Sequence, residues 1–264
     1  MLYSARSSWS FARIVRKSRG RTWLASTKSL SSAAATAETT QARAATVAVV
    51  GSGAVGAYYG ARLWEQGHSV KFLFRGENYD AAKSHGLNVT SVYGDLYIDP
   101  QELQAFETTQ DMGTVDWVIV ALKSSSLKAI PQLIQPLLDP TKTRVLVIMN
   151  GLIEEDLIRM LQETTGQESS GPLECCQALY GGMALVCCNR LGPGRIDHSY
   201  AGLLSGGVAI SSTNLSAEEN KQAFDDLWEQ ANVDIAFEPS LLAGRWRKVR
   251  KNNIHDSCRI FMAV

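Results

Sequence analysis

Acidic residues are nearly absent from the start of the chain. Residues 1–44 hold one, Glu38, beside eight lysines and arginines and nine serines. They also lack the unbroken apolar core of a secretory signal. Two readings remain, an organellar transit peptide and a plain basic tail. The transit reading leads, because Arg- and Ser-rich, acid-poor leaders are of that kind; it does not separate mitochondrion from plastid. No apolar run reaches the ~20 residues of a membrane-spanning helix, so no membrane partner is expected. Cysteine is scarce. There are five, in the adjacent pairs Cys175-Cys176 and Cys187-Cys188 plus Cys258, and none has C-x-x-C spacing. That pattern gives no zinc site and no secreted disulfide framework; buried, reduced thiols acting as small hydrophobes are expected. The formal net charge is zero, but residues 45–264 alone carry 18 basic and 25 acidic residues. A body of that sign gives no reason to expect a nucleic-acid partner.

What is present is organised around residues 46–75. A β-branched run, 47–50, reads as a buried strand. Gly51-Ser52-Gly53-Ala54-Val55-Gly56 follows at once, then a helix over 57–66 stopped by Gly67, then a second apolar strand over 70–74. This is a βαβ unit with G-x-G-x-x-G in its first turn. Gly51 permits the sharp turn, Gly53 lets backbone approach a pyrophosphate, and Gly56 lets helix and strand pack closely. The helix N-terminus then faces the phosphates with free N–H groups and its positive dipole end. The strand–turn–helix context makes dinucleotide binding the reading here. An NAD site usually carries Asp or Glu at the end of the second strand; this chain has Phe74-Arg75, and a cation suits the 2′-phosphate of NADP(H). Glu77, two residues on, tempers that choice.

Further along, residues 79–85 read as a helix, 87–98 as a hairpin, and 115–122 as a central parallel strand delivering Lys123 and Ser124-Ser125-Ser126 to the ligand edge. A helix over 131–138 precedes a buried strand over 144–149, which delivers Asn150-Gly151 to the same edge. Glu154, Glu155 and Asp156 fall in the first turn of the next helix, where acids suit the dipole. A polar loop spans 164–172. Strands follow over 179–188, 195–204 and 208–211. Ser216 and Glu219 form a capping box before a helix that buries Ala223, Phe224, Leu227 and Trp228, and a short strand covers 233–237. From Ser240 an amphipathic helix starts, with Leu241, Leu242 and Trp246 on one side and Arg245, Arg247, Lys248, Arg250 and Lys251 among them. Lys248 and Asn252 share a face at i, i+4. By itself this reads as a solvated basic surface. Strand ends at 51, 75, 123 and 150 converge on one crevice, which is the physical case for a site.

These pieces in this order resemble the ketopantoate reductase family. The resemblance rests on the GSGAVG turn, Arg75, ALKS around Lys123, MNG at Asn150, GPGRIDH, and RWRK at Lys248, and it covers residues 46–249. It implies an oxidoreductase that uses NADPH to reduce the small 2-oxo acid 2-dehydropantoate. Gly51, Ser52, Gly53, Ala54, Val55 and Gly56 would hold the pyrophosphate, and Arg75 and Lys123 the NADP phosphate and adjoining groups. Asn150 would sit where nicotinamide meets substrate, and Lys248 would be the catalytic lysine. Hydride addition puts negative charge on the ketone oxygen, which an ammonium stabilises and protonates; a free lysine, with a pKa near 10.4, would arrive protonated.

After Val249 the resemblance stops. Asn252 fits the family's next asparagine position, on the substrate side, whereas Asp256 stands where a second asparagine is expected. The expected architecture is therefore α/β: a Rossmann-type doubly wound sheet over 45–238, then only the start, over 239–264, of a helical C-terminal domain. In the family that domain closes over the substrate and builds a homodimer. A truncated or misread gene model, or a splice variant, is the expectation drawn from this. Two other classes stay open: a different NAD(P)-dependent 2-hydroxy-acid or opine-type dehydrogenase, and a non-catalytic nucleotide-binding module.

Overall fold

The computed structural model describes residues 44–166, 173–212 and 214–250. Asn252, Cys258, nearly all of the leader and most of the expected 164–172 loop lie outside the described residues.

The βαβ unit forms as the sequence predicts. β1 (Thr46–Val50), α1 (Ala54–Glu65) and β2 (Ser69–Leu73) are in sequence, with β1 and β2 parallel in the register Val47↔Val70 to Val50↔Leu73. Helix α1 begins three residues earlier than expected, inside the glycine motif. α2 (Glu77–His85) leads into the hairpin of β3 (Leu87–Ser91) and β4 (Leu96–Ile98). The remaining parallel strands are β5 (Gln104–Phe106), β6 (Trp117–Val120) and β7 (Arg144–Ile148). Between β6 and β7 the expected single helix is broken. A 3-10 turn (Ser124–Ala129), a short α3 (Ile130–Ile134) and a second 3-10 turn (Gln135–Leu137) share the segment, because Pro131 and Pro136 each withhold a backbone N–H. α4 (Glu154–Thr165) ends at Gly166 in the left-handed conformation, so Thr164 and Thr165 belong to the helix rather than to the expected loop.

β8 (Ala178–Gly192) and β9 (Arg195–Ser211) form one long antiparallel hairpin; the separate strand expected over 208–211 is the end of β9. α5 (Ala217–Trp228) carries the predicted capping box, Ser216 Oγ accepting from the Glu219 N–H, and buries Phe224, Leu227 and Trp228. β10 (Asp234–Phe237) precedes α6, helical over 241–250.

The parallel strands stand in the order β5-β2-β1-β6-β7-β8. This is the strand order of the doubly wound dinucleotide-binding fold, with its switch point between β1 and β6. Successive residues of each strand serve two cores. Val47, Val49, Trp117 and Ile119 pack with Tyr58, Tyr59 and Leu63 of α1. Ala48, Val50, Val118 and Val120 pack with Ile130, Ile134, Leu157 and Leu161 on the other face. Strands covered on both faces need no polar alternation, which is why they read as unbroken apolar runs. Beyond β8 the sheet curls. β9 pairs in parallel with β3 (Asn88↔Arg195 to Ser91↔His198) and further along with β10 (Asp234↔Leu203). The GPGRIDH segment makes this return: the Asn88 N–H donates to Gly194 O, and buried His198 packs against Tyr58, the rings tilted with centroids 4.2 Å apart, and meets Ser91 Oγ at 2.8 Å. Among the described cysteines, Cys176 is buried and Cys175 and Cys188 half-buried; Cys187 is exposed, contrary to expectation, on the part of β8 that leaves the core.

Candidate active site

Four strand ends define the ligand edge. β1 delivers Gly51, β2 delivers Arg75, β6 delivers Lys123 and β7 delivers Asn150. The glycines of the first turn divide into two kinds. A Cβ on Gly51 would lie 2.7 Å from Ala121 O, and one on Gly56 would run into Gly51 O and reach 3.1 Å from the Ala121 side chain. Gly51 also has φ +99°, a region side chains rarely enter. Both are glycine for reasons internal to the fold. Gly53 is different: its φ is −74° and a Cβ there would meet nothing within 4 Å. It stands at the N-cap of α1 with no side-chain cap. The bare backbone therefore faces open space where a phosphate would approach the helix N-terminus, and the residues fit a dinucleotide pyrophosphate.

The turn helps line an open pocket of about 290 Å³ whose lining also includes Arg75, Lys123 and Arg190, with Asn78 and Ser126. No carboxylate is among the described residues that line it, and Glu77, the tempering residue, does not reach it. Ser52 is part of this lining, its Oγ 3.4 Å from Val49 O. Ala54 and Val55 belong to the first turn of α1. Asn78 and Arg190 carry no signal in the sequence; both arrive through tertiary packing.

A second cluster lies along the same edge. β1, β6 and β7 are consecutive neighbours, so Asn150 leaves the sheet roughly 10 Å from Gly51. Lys248 Nζ donates to Asn150 Oδ1 at 2.9 Å. That bond engages the amide oxygen, so Nδ2 is the donor Asn150 has left to offer. Lys248 does not keep the free-lysine value: burial, with help from the Arg245 charge, pushes its pKa down to about 8. Asn252, expected on the substrate side, is not among the described residues.

Lys248 is placed by an interaction the sequence reading misassigned. Arg245, expected on a solvated basic face, is 3% exposed. Its Nη1 donates to Met149 O at 2.6 Å and its Nη2 pairs with Glu154, which also keeps its expected place in the first turn of α4. Arg245 and Lys248, one helical turn apart, thus grip adjacent residues, Met149 and Asn150, at the end of β7. Arg247 pairs with Glu238 at 2.8 Å. Glycines make the approach of α6 possible: a Cβ on Gly181 would lie 2.5 Å from Glu154 Oε1 and 2.7 Å from Leu241. The face toward the sheet is therefore Leu241, Gly244, Arg245 and Lys248. Leu242, Trp246 and Val249 point outward, 58%, 59% and 48% exposed, so Leu242 and Trp246 do not share the inner side with Leu241.

The described residues contain no helix long and apolar enough to cross a membrane. Residues 47–210 match the family described as Ketopantoate reductase PanE/ApbA. A 2-dehydropantoate 2-reductase of Nostoc sp. is 31% identical over 204 residues, covering 76% of this chain and 59% of the relative. The crystal structure of 2-dehydropantoate 2-reductase from Geobacter metallireducens superposes with a TM-score of 0.65 at 30% identity, over 78% of this chain and 62% of that one. D-mandelate dehydrogenase, in a ternary structure with NADH and anilino(oxo)acetate, has a TM-score of 0.62 at 22% identity over 77% and 60%, a likeness of fold alone. The chain spans about three-fifths of the length of these relatives.

Proposed function

The chain belongs to the ketopantoate reductase family, and from that premise we propose that it reduces 2-dehydropantoate to pantoate with NADPH, in pantothenate biosynthesis. The observation that carries this reading is the Lys248–Asn150 pair, set on the same sheet edge as the glycine turn. NADPH supplies the hydride when bound. Gly51 to Gly56 hold its pyrophosphate, and Arg75 and Lys123 receive its 2′-phosphate and adjoining groups. Lys248 donates a hydrogen bond to the substrate ketone oxygen, stabilises the charge that grows there, and yields the proton. A pKa of about 8 suits that task. Roughly nine in ten Lys248 side chains are charged at pH 7, yet the group is a stronger acid than free lysine. Asn150 Nδ2 orients the same oxygen, and Asn252, four residues past Lys248, belongs with the substrate.

The same proposal takes residues 45–238 as the NADP-binding domain and 239–264 as the start of a helical domain that a homodimer would use. It directs the protein by its leader to a mitochondrion or plastid. The deciding experiment is ketopantoate-dependent NADPH oxidation by the 264-residue protein, with Lys248→Ala beside it. A rate that exceeds the variant's is expected; equal rates would remove the catalytic claim. Turnover of another oxo acid in place of ketopantoate would move the protein to a different 2-hydroxy-acid dehydrogenase activity. NADPH binding without any oxidation would make it a nucleotide-binding module.

A further inference from the structure

Arg190 is far from the cofactor turn by sheet order. β8, which carries it, is separated from β2 by β7, β6 and β1, a span of roughly 19 Å at ordinary strand spacing. Nevertheless Arg190 lines the same pocket as Gly51, Gly53 and Arg75, and its Nη1 stands 3.5 Å from Oδ1 of Asn78, in the first turn of the helix after β2. The path is visible in the pairing. The β8–β9 register shifts between Leu185 and Cys187, between Cys187 and Cys188, and again between Arg190 and Gly192, and such irregularities bend a ladder. The first residues of β9 then pair with β3, which follows α2 directly. The outer hairpin arm thus packs on α1, where His198 meets the Tyr58 ring, and brings a third cation to the nucleotide pocket.

Two arginines, Arg75 and Arg190, from unrelated elements both line this pocket, with no carboxylate on its described lining. A ribose 2′-hydroxyl calls for an acceptor, whereas a phosphate monoester calls for planar cationic donors. Resting on the NADPH reading above, we propose that Arg190 is a specificity-determining residue: with Arg75 it clamps the 2′-phosphate, while Asn78 holds its guanidinium toward the pocket. Arg75 is set by the end of β2, and Arg190 by the folding of the β8–β9 arm, so nucleotide preference depends on the arm being docked.

The test is fluorescence titration of the full chain with NADPH and NADH, for the wild type, Arg190→Ala, Arg190→Lys and Arg75→Ala, at low and moderate salt. Arg190 is exposed, so its variants keep the wild-type melting temperature. Arg190→Ala raises the Kd for NADPH about tenfold and leaves that for NADH unchanged, with a smaller effect at higher salt. Arg190→Lys recovers part of the loss, because a point charge lacks the planar fork. An unchanged NADPH affinity in Arg190→Ala, when Arg75→Ala loses it, overturns the Arg190 assignment and leaves the cofactor reading standing. Equal losses for both nucleotides also overturn it, since they place Arg190 against a part the two share. A wild type with no preference for NADPH removes the 2′-phosphate reading itself, and this inference with it.

Discussion

The two ends of the ligand edge are built by opposite means. At the nucleotide end, one continuous stretch of thirty residues makes strand, turn, helix and strand, and the constraint is steric: two glycines are locked and one is bare. At the lysine end nothing is local. Lys248 meets Asn150 across 98 positions, Arg245 meets Met149 across 96 and Glu154 across 91. There the constraint is electrostatic, a buried ion pair and two charge-assisted hydrogen bonds. A local steric device can be altered one residue at a time with a local result. In a long-range electrostatic clasp the inner pair fails together, because removing Arg245 or Glu154 leaves the other's charge unpaired in the interior.

The largest effect on turnover should come from the clasp's outer member. Lys248→Ala lowers kcat for ketopantoate reduction by about 10²–10⁴-fold, the range for a positioned general acid, while the Kd for NADPH in the same titration stays unchanged. Turnover retained within tenfold would dissolve the contrast between the ends, because the lysine would then be no more than a helix contact. Stability should respond most to the inner member. Arg245→Ala leaves Glu154 unpaired, 7% exposed, and lowers unfolding free energy in urea by about 3–5 kcal/mol. Arg245→Met with Glu154→Leu removes both charges and recovers a good part of that loss. A double variant as unstable as the single would show that α6 is held by packing rather than by the pair.

The unequal legibility of the two ends follows from the same contrast. The βαβ unit, the parallel sheet, the capping box at Ser216 and the converging strand ends could be read from sequence, because periodicity and glycine placement act over short distances. Asn150 was legible as a strand-end residue on the ligand edge, but its role and that of Lys248 came only through resemblance to a family. Arg245 was expected in solvent, and although Glu154 does stand in the first turn of its helix as expected, its pairing with Arg245 stayed hidden, because a basic residue in an amphipathic helix and an acid in a helix's first turn have satisfactory local explanations. Arg190 had no local signal: it reaches its pocket through strand irregularities and a parallel pairing 107 residues apart (Asn88 with Arg195), both decided by tertiary packing. The curl of β8–β9 was equally hidden, and three expected strands collapsed into two for that reason.

The nucleotide end offers a sharper internal control. Gly56→Ala forces a methyl against Gly51 O and should destabilise the protein by about 1–3 kcal/mol, seen as a lower melting temperature before any nucleotide is added. Gly53→Ala adds the same methyl to open space, so the melting temperature of the free protein stays put or rises slightly. Its cost appears only with cofactor, as a Kd for NADPH raised about tenfold, or about 1.4 kcal/mol. If Gly53→Ala bound NADPH as the wild type does, the open face at Gly53 would not be the phosphate's approach, and the steric division between the glycines would lose its functional meaning.

The smallest effect concerns the proton on Lys248, where the two ends meet in one measurement. With its pKa near 8 in the folded protein, the ammonium that the proposed reduction requires is present below pH 8 and is lost as pH rises through that value. The rate constant kcat/KM for ketopantoate should therefore be flat up to about pH 8 and fall about tenfold per unit beyond it, whereas oxidation of pantoate, which needs the free amine, should rise over the same interval. Burial is the larger cause of the depressed value and Arg245 the smaller, so removing the arginine charge in Arg245→Met should move the inflection upward by about a unit or less, in whatever fraction remains folded. Gly53→Ala should leave the inflection where it is while lowering nucleotide affinity. An inflection that moved with Gly53 and not with Arg245 would mean that the observed proton belongs to the nucleotide end, and Lys248 would no longer be its carrier.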